Sequence, residues 1–319
     1  MYHIIVNPAS RSGKGNKVWR QLEPALLQRQ VPYQVYFSEK PGDVAKETRR
    51  LSALNQKISL IILGGDGTMN EALQGMSPLE NFTVGYIPTG SSNDLARSLG
   101  IPMNPLLALN LILSDGSVSL LDIGLLRYEN IPPCADRLEQ TGTSQKRRFI
   151  VSCGIGFDAA VCAEAQTSPL KGVLNRLGLG KLTYLGIALK QLMTAPKTSC
   201  ELWLDQRKKP IRFNKFIFIA SMHHRYEGGG FMFCPNADYK DQTFEICAVG
   251  NIPKLLILFA LPTAFLGKHY FFKGVDAYRA HTVRIRCAAP LWVHTDGEAK
   301  TQADHIVLTQ HTEKLRIIS

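Results

Sequence analysis

The first third of the chain alternates between apolar runs typical of strands and amphipathic stretches typical of helices. Residues 58–65, ISLIILGG, are apolar at nearly every position, which predicts a strand with both faces buried. Residues 17–30 instead place Trp19, Leu22 and Leu26 on one face of a helix. The predicted strands are 3–8, 33–38, 58–65 and 82–88, and the predicted helices are 17–30, 42–54, 69–76 and 91–100. Strands interleaved with helices indicate an α/β fold with a parallel sheet.

The second part of the chain reads as a series of strands separated by turns. The predicted strands are 119–128, 147–157, 199–205, 214–222, 243–249, 281–289 and 290–298. Such a series predicts a mainly antiparallel β-sandwich or curled sheet. We therefore expect an α/β domain at residues 1–125 and a β-rich domain at residues 126–319. Whether the last residues return to the first domain is left open.

The charge balance points to an anionic partner. The chain of 319 residues holds 37 basic and 26 acidic residues, a net charge of +11. Phosphates, nucleic acid or an acidic membrane surface would each suit such an excess, and an ordinary basic enzyme is the plain alternative.

The cysteines and apolar runs indicate the compartment. Seven cysteines without a C-x-x-C pair predict neither a disulfide framework nor a zinc site, and hence a reducing, cytoplasmic setting. The start of the chain does not resemble a signal peptide. The apolar stretch 255–267 is shorter than the roughly 20 residues of a membrane span, so we expect no membrane crossing.

Glycines and a carboxylate follow the predicted central strand, in the segment GGDGTMNE. Gly64, Gly65 and Gly67 would let the backbone approach a phosphate and point amides at it, at the carboxyl end of a parallel strand. A helix beginning nearby would add a favourable dipole. Asp66 fits such a site if it faces Mg²⁺ or a ribose hydroxyl. A glycine turn that merely closes a βα unit remains the alternative.

Two further turns of the same kind follow predicted strands. Residues 87–94, IPTGSSND, offer hydroxyl and amide donors together with Asp94. Residues 6–15, VNPASRSGKG, offer Arg11 and Lys14 among their donors. Residues 6–15 lack the glycine and the Ser/Thr spacing of a Walker A loop. The G-x-G-x-x-G fingerprint of dinucleotide-binding folds does not follow the first strand either.

Taken together, these motifs resemble the superfamily of diacylglycerol, sphingosine and ceramide kinases, and most of all the soluble bacterial diacylglycerol or lipid kinases. The segments LLDIG, FIVSCGIGFDA, EGGGFMFCPNADYKD, GKHYFFKGV and HTDGE continue the resemblance in the family's order over nearly the whole chain. GGDGT alone is shared with NAD kinases and phosphofructokinases, whereas its combination with PTGSSND and a late DGE is specific.

The resemblance implies an ATP- and Mg²⁺-dependent kinase that phosphorylates a lipid hydroxyl, with diacylglycerol as the first choice. It also implies a nucleotide site between the two domains. The implied nucleotide-binding residues are Asn7, Pro8, Ala9, Ser10, Arg11, Lys14, Ser38, Gly64, Gly65, Asp66, Gly67, Thr68, Met69, Asn70, Ser91, Asn93 and Asp94.

The late DGE segment supplies the implied catalytic carboxylates, Asp296 and Glu298. One of them would accept the proton of the lipid hydroxyl, since phosphoryl transfer needs a group that orients the nucleophile. Two carboxylates two positions apart on a strand would share a face, unless a turn at Gly297 redirects one of them. The sequence does not separate the base from its neighbour, and an ordinary hairpin turn is the alternative.

The segment PNADYKDQTFE resembles the family's structural metal segment. Asp241 matches the acidic ligand, and Asp238 and Thr243 would complete an oxygen-rich Mg²⁺ shell. The family's Asp-Asp-Gly is replaced here by Lys240, Asp241 and Gln242, which leaves the loop geometry and the metal site open.

The remaining expectations concern partners. We expect a cytoplasmic protein that associates peripherally with an anionic membrane surface holding its lipid substrate, and no nucleic-acid partner. A homodimer is left open. Residues 170–193 and 255–266 are apolar segments flanked by lysines, either lipid-facing or packed on the protein's own core. A kinase of another lipid or of NAD, and a non-catalytic nucleotide- or lipid-binding relative, are the alternative functions.

Overall fold

The computed structural model describes residues 1–114, 116–130, 146–167, 180–194 and 198–319. These residues form two compact units. The first unit comprises Met1–Ile123 together with His311–Ser319, and the second comprises Gly124–Gln310.

The first unit is built on a six-stranded, mostly parallel sheet. Its strands are β1 (Tyr2–Val6), β2 (Tyr33–Phe37), β3 (Ile58–Gly64), β4 (Phe82–Pro88), β5 (Val118–Leu121) and β15 (Leu315–Ile318). They are ordered β2-β1-β3-β4-β15-β5, and only β5 runs antiparallel to its neighbour. The predicted α/β class with a parallel sheet is confirmed.

Helices connect these strands. They are α1 (Ser10–Gln28), α2 (Asp43–Ser52), α3 (Asp66–Gly75), α4 (Asp94–Leu99) and α5 (Pro105–Leu113). The sequence reading missed α5, although Pro105 opens it and the side chain of Asn104 accepts hydrogen bonds from the amides of Leu106 and Leu107. As expected for a central strand, Ile62 and Leu63 of β3 are fully buried.

The second unit is an antiparallel sheet curled into a small barrel with extra strands. Its strands are β6 (Gly124–Asn130), β7 (Lys146–Phe149), β8 (Ser152–Gly156), β9 (Thr198–Leu204), β10 (Ile211–Met222), β11 (Phe244–Gly250), β12 (Val275–Ala280), β13 (Val283–Thr295) and β14 (Glu298–Gln310). Both β8 and β9 pair with β10 and with β13, which closes the curl. The predicted antiparallel class is confirmed, with one continuous sheet in place of two facing layers.

Helices α6 (Phe157–Thr167), α7 (Gly180–Thr194) and α8 (Lys254–Thr263) belong to the second unit. Among the helices in the described ranges, none has both the length and the apolar character that a membrane span requires.

Two strands predicted as continuous are divided at points where a carboxylate makes the contacts. The predicted strand 119–128 divides at Asp122, which is buried and pairs with Lys314 at 2.8 Å, so that β5 and β6 lie in different units. The predicted strand 147–157 divides at Ile150 and Val151, whose amides bond to Asp296 rather than to a neighbouring strand.

Candidate functional site

The three predicted nucleotide-binding turns lie at the carboxyl ends of β1, β3 and β4, and side chains connect them. The Asn7 side-chain amide, after β1, donates to Thr68 Oγ1, after β3, at 3.0 Å. The hydroxyls of Ser10 and Thr89 lie 2.7 Å apart and join the first turn to the one after β4. The carboxyl edge of such a sheet is where α/β proteins bind ligands.

The turns after β3 and β4 are in direct backbone contact because glycine occupies both. A Cβ atom built on Gly90 would lie 2.7 Å from Gly65 Cα and 2.8 Å from Asn93 Oδ1. The amide of Thr89 donates to the Gly64 carbonyl at 2.7 Å, which holds the two turns together. These glycines therefore fix how closely the two turns approach.

We expect Gly90→Ala to separate the two turns. Overpacking of this kind costs about 1–3 kcal/mol of unfolding free energy, and the nucleotide affinity should fall with it. Thermal unfolding with and without ATP measures both effects. Gly186→Ala is the control, because a Cβ there would meet nothing within 4 Å. Equal ATP stabilisation of Gly90→Ala and wild type would contradict the role given to this contact.

Asp66 joins the same two turns from the other side. Its carboxylate accepts the amide of Asp94 at 3.1 Å and the amide of Leu95 at 3.3 Å, at the beginning of α4. Burial raises the pKa of Tyr86 well above its usual value, and the charges of Asp66 and Asp94 add to the effect. The carboxylate beside the glycines thus organises the turn after β4, and the Mg²⁺ or ribose contact expected for it stays a prediction.

The turn after β1 has an unusual backbone. Arg11, Ser12 and Gly13 have φ angles of 44°, 57° and 92°, in the left-handed region that residues other than glycine rarely adopt. Such conformations cluster at ligand-binding sites, where the surrounding structure holds them. Burial lowers the pKa of the next residue, Lys14, and the charge of Arg11 lowers it further. Two cations held together at a strained turn suit an anionic ligand.

The predicted nucleotide-binding residues differ in their accessibility. Buried residues form the framework of the turns, as Ser38 does, whose hydroxyl donates to the Val6 carbonyl at 3.4 Å. The buried members are Ser38, Gly64, Thr68, Met69, Asn70, Asn93 and Asp94. The members that reach solvent are Asn7, Pro8, Ala9, Ser10, Arg11, Lys14, Gly65, Asp66, Gly67 and Ser91. Their binding roles stay predictions, and those that reach solvent are the ones able to contact a ligand in this arrangement.

A cleft of about 580 Å³ lies elsewhere in the first unit, beside the first residue of β1, and Tyr2, Arg29, Pro32 and Asn110 contribute to its walls. This cleft lies at the amino edge of the sheet, whereas the glycine turns described above lie at the opposite, carboxyl edge. We place the candidate nucleotide site at the carboxyl edge, because amides and cations converge there.

The predicted catalytic segment of the second unit is a two-residue hairpin turn. Thr295 pairs with Glu298, and the two residues between them, Asp296 and Gly297, have φ angles of 50° and 80°. Left-handed conformations at both central positions are typical of a type I′ turn, for which Asp-Gly is a favoured sequence. The turn therefore separates the two carboxylates, which do not share a strand face.

The carboxylate of Asp296 is directed at the backbone. It accepts the amides of Ile150, Val151 and Ser152 at 3.0, 2.7 and 3.0 Å. The three backbone amides engage both oxygens of this carboxylate. Asp296 thus anchors the hairpin turn to the segment between β7 and β8.

The carboxylate of Glu298 is partly exposed. Its side chain is 31% exposed and lies 3.4 Å from Lys300, an ion pair that solvent weakens. Gly297 is held on both of its peptide groups, because its carbonyl accepts from the Gln166 side chain at 2.9 Å and its amide donates to His294 Nδ1 at 3.2 Å. Glu298 therefore projects from a turn that is fixed in place.

Sequence reading missed the buried cluster behind this turn. His294 Nε2 lies 3.1 Å from Asp158 Oδ2 and 3.3 Å from Glu227 Oε1, and Ser152 Oγ lies 2.6 Å from Glu227 Oε1. A Cβ on Gly154 would meet both Asp158 and His294, so glycine is required there. The HTDGE motif contained His294, but its two partners come from distant parts of the sequence.

The hydrogen bonds of His294 indicate how protons are arranged in the cluster. Burial lowers the pKa of His294 and the charges of Glu227 and Asp158 raise it above its usual value, whereas the hydrogen bond from the Gly297 amide to Nδ1 forms only with the neutral ring. A second proton on the ring would displace the Gly297 amide from Nδ1. Burial also raises the pKa of Glu227. The second proton can therefore lie on the Glu227 carboxyl group, which leaves the hydrogen bond from the Gly297 amide to His294 intact. We favour this second arrangement.

The three side chains also have the composition of a metal site, since their ligand atoms lie within 4.8 Å of one another. The Gly297 amide at Nδ1 opposes that interpretation, because it requires the ring proton to be on Nε2, the atom that would bind the metal. The cluster is better described as a support that fixes the tautomer of His294 and, through it, the hairpin turn.

We expect His294→Ala to lower kcat about 10–10²-fold with little change in the KM for ATP, since small displacements of a reacting group have effects of this size. The physical reason is loss of the acceptor that holds the Gly297 amide. Steady-state kinetics, with thermal unfolding to confirm folding, measure it. His281→Ala is the control, because His281 is an exposed histidine of the same unit. An unchanged kcat would show that His294 only fills space.

The predicted metal segment contains an arginine where a cation was expected. Asp241 Oδ1 accepts from the amide and hydroxyl of Thr243 at 2.9 and 2.6 Å. Arg279 forms an ion pair with Asp241, and its Nε donates to Thr243 Oγ1 at 2.7 Å. Asp238 accepts the amide of Lys240 at 3.0 Å. As arranged, these residues offer no open oxygen shell, and a divalent ion would have to displace the guanidinium, so Mg²⁺ at this segment stays a prediction.

The structure describes all of one of the two segments that could face lipid and only part of the other. The stretch 170–193 lies partly outside the described residues, which resume at 180 within α7. The stretch 255–266 forms most of α8 and the 3₁₀ turn that follows it.

Comparisons with known proteins agree with this architecture. Residues 1–126 match the model of the diacylglycerol kinase catalytic domain, and residues 151–318 match the YegS C-terminal NAD kinase beta sandwich-like domain. The chain is 38% identical to a diacylglycerol kinase of Staphylococcus aureus (strain bovine RF122 / ET3-1), over 97% of this chain and 90% of that protein. It is 28% identical to a Bacillus subtilis (strain 168) protein named "Putative lipid kinase YtlR", over 93% of each.

A crystal structure of a diacylglycerol kinase from Bacillus anthracis str. Sterne has the same fold. It superposes with a TM-score of 0.67 at 20% identity, over 99% of this chain and 96% of that one. The two matches together cover most of the chain with a diacylglycerol kinase catalytic domain and a β-sandwich domain like that of NAD kinases. The chain belongs to the diacylglycerol kinase family.

Proposed function

We propose that this protein transfers the γ-phosphate of ATP to a lipid hydroxyl, with diacylglycerol as the preferred acceptor. Membership of a kinase family implies the use of ATP. The names of the relatives support the acceptor, and a lipid in a membrane suits the net charge of +11.

The three turns at the carboxyl edge of the first sheet would hold the nucleotide. Backbone amides around Gly65 and Gly67 and the charges of Arg11 and Lys14 can contact phosphate oxygens. Asp66 and Asp94 are the acidic groups of these turns that could hold Mg²⁺, which would neutralise charge on the transferring phosphate. Phosphoryl transfer depends mainly on positioning and charge stabilisation, which a rigid set of connected turns provides.

The proposal rests on the different contacts that the two carboxylates of the DGE turn make. Asp296 binds three backbone amides, whereas Glu298 remains accessible on a turn held by Gln166 and His294. Glu298 would accept the proton of the lipid hydroxyl as that oxygen attacks the γ-phosphorus. A general base must reach the proton it takes, and Glu298 is partly exposed on an anchored turn.

The test is transfer of radiolabelled phosphate from ATP to a panel of acceptors: diacylglycerol, a sphingoid base, ceramide and NAD. Preferential labelling of diacylglycerol is the expected result. Labelling of another lipid would correct the acceptor, and labelling of NAD alone would place the activity with the NAD kinases. ATP binding without transfer to any acceptor would overturn the enzymatic proposal and favour a nucleotide-binding relative.

A further inference from the structure

The second unit exposes a group of large apolar side chains on consecutive short elements. They lie on α8, on the 3₁₀ turn Ala264–Leu266 and on the 3₁₀ turn His269–Phe271. We call this group the apolar ridge, and its members are Leu255, Leu256, Phe259, Phe265, Leu266 and Phe271. Leu266 and Phe271 are 70% and 86% exposed. Large exposed apolar side chains concentrated on one short segment are typical of an interaction site.

The ridge is held rigidly from below. Ile257 and Ala260, on the opposite face of α8, are buried. The Tyr270 hydroxyl donates to the Phe233 carbonyl at 2.6 Å, and the ring of Phe265 stacks on Phe231 at a centroid distance of 4.0 Å. The exposed side chains are therefore presented by ordered backbone and are not the consequence of a loosely packed segment.

The charged residues of the segment that carries the ridge are all basic. From Ile246 to Val275 the sequence contains three lysines and no acidic residue. Lys268 and Lys273 are exposed, and Lys254 donates to the carbonyl of Met193 at 3.0 Å. That bond brings the exposed Met193 of α7 beside the beginning of α8. Apolar and aromatic side chains bordered by lysines are typical of segments that lie in the interface of a membrane.

We infer that the apolar ridge docks this protein on an anionic lipid bilayer, with its leucines and phenylalanines in the interfacial region and Lys254, Lys268 and Lys273 at the anionic headgroups. The inference rests on the proposed function, because a lipid acceptor lies in a bilayer. Charge selects this occupant. A second copy of the chain would place two lysine-bordered ridges together, and like charges repel across such an interface.

Vesicle sedimentation without nucleotide tests the inference. Leu266→Gln/Phe271→Gln should bind anionic vesicles of phosphatidylglycerol and phosphatidylcholine at least about tenfold more weakly than wild type, because binding scales with the apolar area inserted. Leu106→Gln/Leu107→Gln is the matched control, since it removes two exposed leucines from α5 of the first unit and should bind as wild type does.

The electrostatic part is tested separately. Lys268→Gln/Lys273→Gln should lose affinity for anionic vesicles but not for pure phosphatidylcholine. The vesicle binding of this variant should also depend less on salt between about 0.1 and 0.5 M. The screening length is about 10 Å at 0.1 M and shortens as salt is added, which weakens the attraction between lysines and anionic headgroups. If wild type binds anionic vesicles and pure phosphatidylcholine vesicles equally, and salt does not change this binding, the role of the lysines is refuted.

Two outcomes would overturn the inference as a whole. The first is wild-type vesicle binding by the Leu266→Gln/Phe271→Gln variant. The second is a change in its oligomeric state, measured by light scattering, with vesicle binding unaltered. Activity on a short-chain, water-soluble diacylglycerol separates this inference from the proposed function. If wild type binds vesicles through the ridge but phosphorylates no acceptor, the ridge stands and the kinase assignment fails.

Discussion

Replacing Glu298 by glutamine should lower kcat by roughly 10²–10⁴-fold while the affinity for ATP persists, because removing a general base has effects of this size. Glutamine keeps the shape of the side chain and removes the carboxylate that would accept the proton. The hairpin turn should stay in place, since its fixed peptide groups belong to Gly297 and not to Glu298. Turnover measured with saturating lipid, and ATP affinity measured by calorimetry, separate the two effects.

Asp296→Asn should behave differently. Its carboxylate accepts three backbone amides, and an amide group would turn a donor towards donors, at a cost of about 1–3 kcal/mol in unfolding free energy. Glu201→Gln is the control for Glu298, because Glu201 is 33% exposed and also pairs with a cation. Wild-type turnover in Glu298→Gln, with activity lost only in Asp296→Asn, would reverse the assignment of the base.

Asp66→Ala should lower kcat/KM for ATP by more than about 10²-fold, because it releases the amides of Asp94 and Leu95 and loosens the turns after β3 and β4, the proposed nucleotide site, together. The same loss should cost about 0.5–2 kcal/mol of unfolding free energy, as removal of a helix cap does. A folded but inactive variant with weakened ATP binding is therefore expected, as seen by calorimetry and thermal unfolding.

Asp66→Asn should be intermediate, since it keeps one acceptor oxygen without the charge. Asp276→Ala removes an exposed carboxylate of β12 and should leave both quantities unchanged. Full activity in a folded Asp66→Ala protein would disprove the organising role of this carboxylate.

The sequence predicted those parts of the fold that depend on local periodicity. Residues 58–65 are apolar on both faces, and a strand of that kind has few places other than the centre of a parallel sheet. The break at Asp122 could not be seen, because the buried carboxylate pairs with Lys314, a residue far along the chain. Helix α5 was overlooked although Asn104 and Pro105 carried a start signal.

For the candidate site, the sequence indicated the residue types but not their partners. GGDGT and PTGSSND could be placed at strand ends, yet the Asp66 bonds to the amides of Asp94 and Leu95 depend on two turns meeting in space. Asp296 and Glu298 looked equivalent until the left-handed turn separated them. The partners of His294, Asp158 and Glu227, and the partner of Asp241, Arg279, belong to distant elements of the chain, for which a single sequence holds no pairing signal.

The position of β15 between β4 and β5 has a consequence for the order in which the protein folds. During synthesis, the first unit must wait for β15 until the whole of the second unit has been made, and the bond from the Leu79 amide to the Glu313 carboxylate joins positions 234 apart. Closing so long a loop in an unfolded chain is entropically costly.

The second unit removes most of that cost. Its end residues, Gly124 and Gln310, pair across β6 and β14, and the amide of the next residue, His311, donates to the Ile123 carbonyl at 2.7 Å. Once the second unit has folded, β15 is therefore delivered to within a few residues of its place beside β5. A defect that slows folding of the β-rich unit should leave the nascent α/β unit with an unpaired edge on β4, which is a template for aggregation on the ribosome.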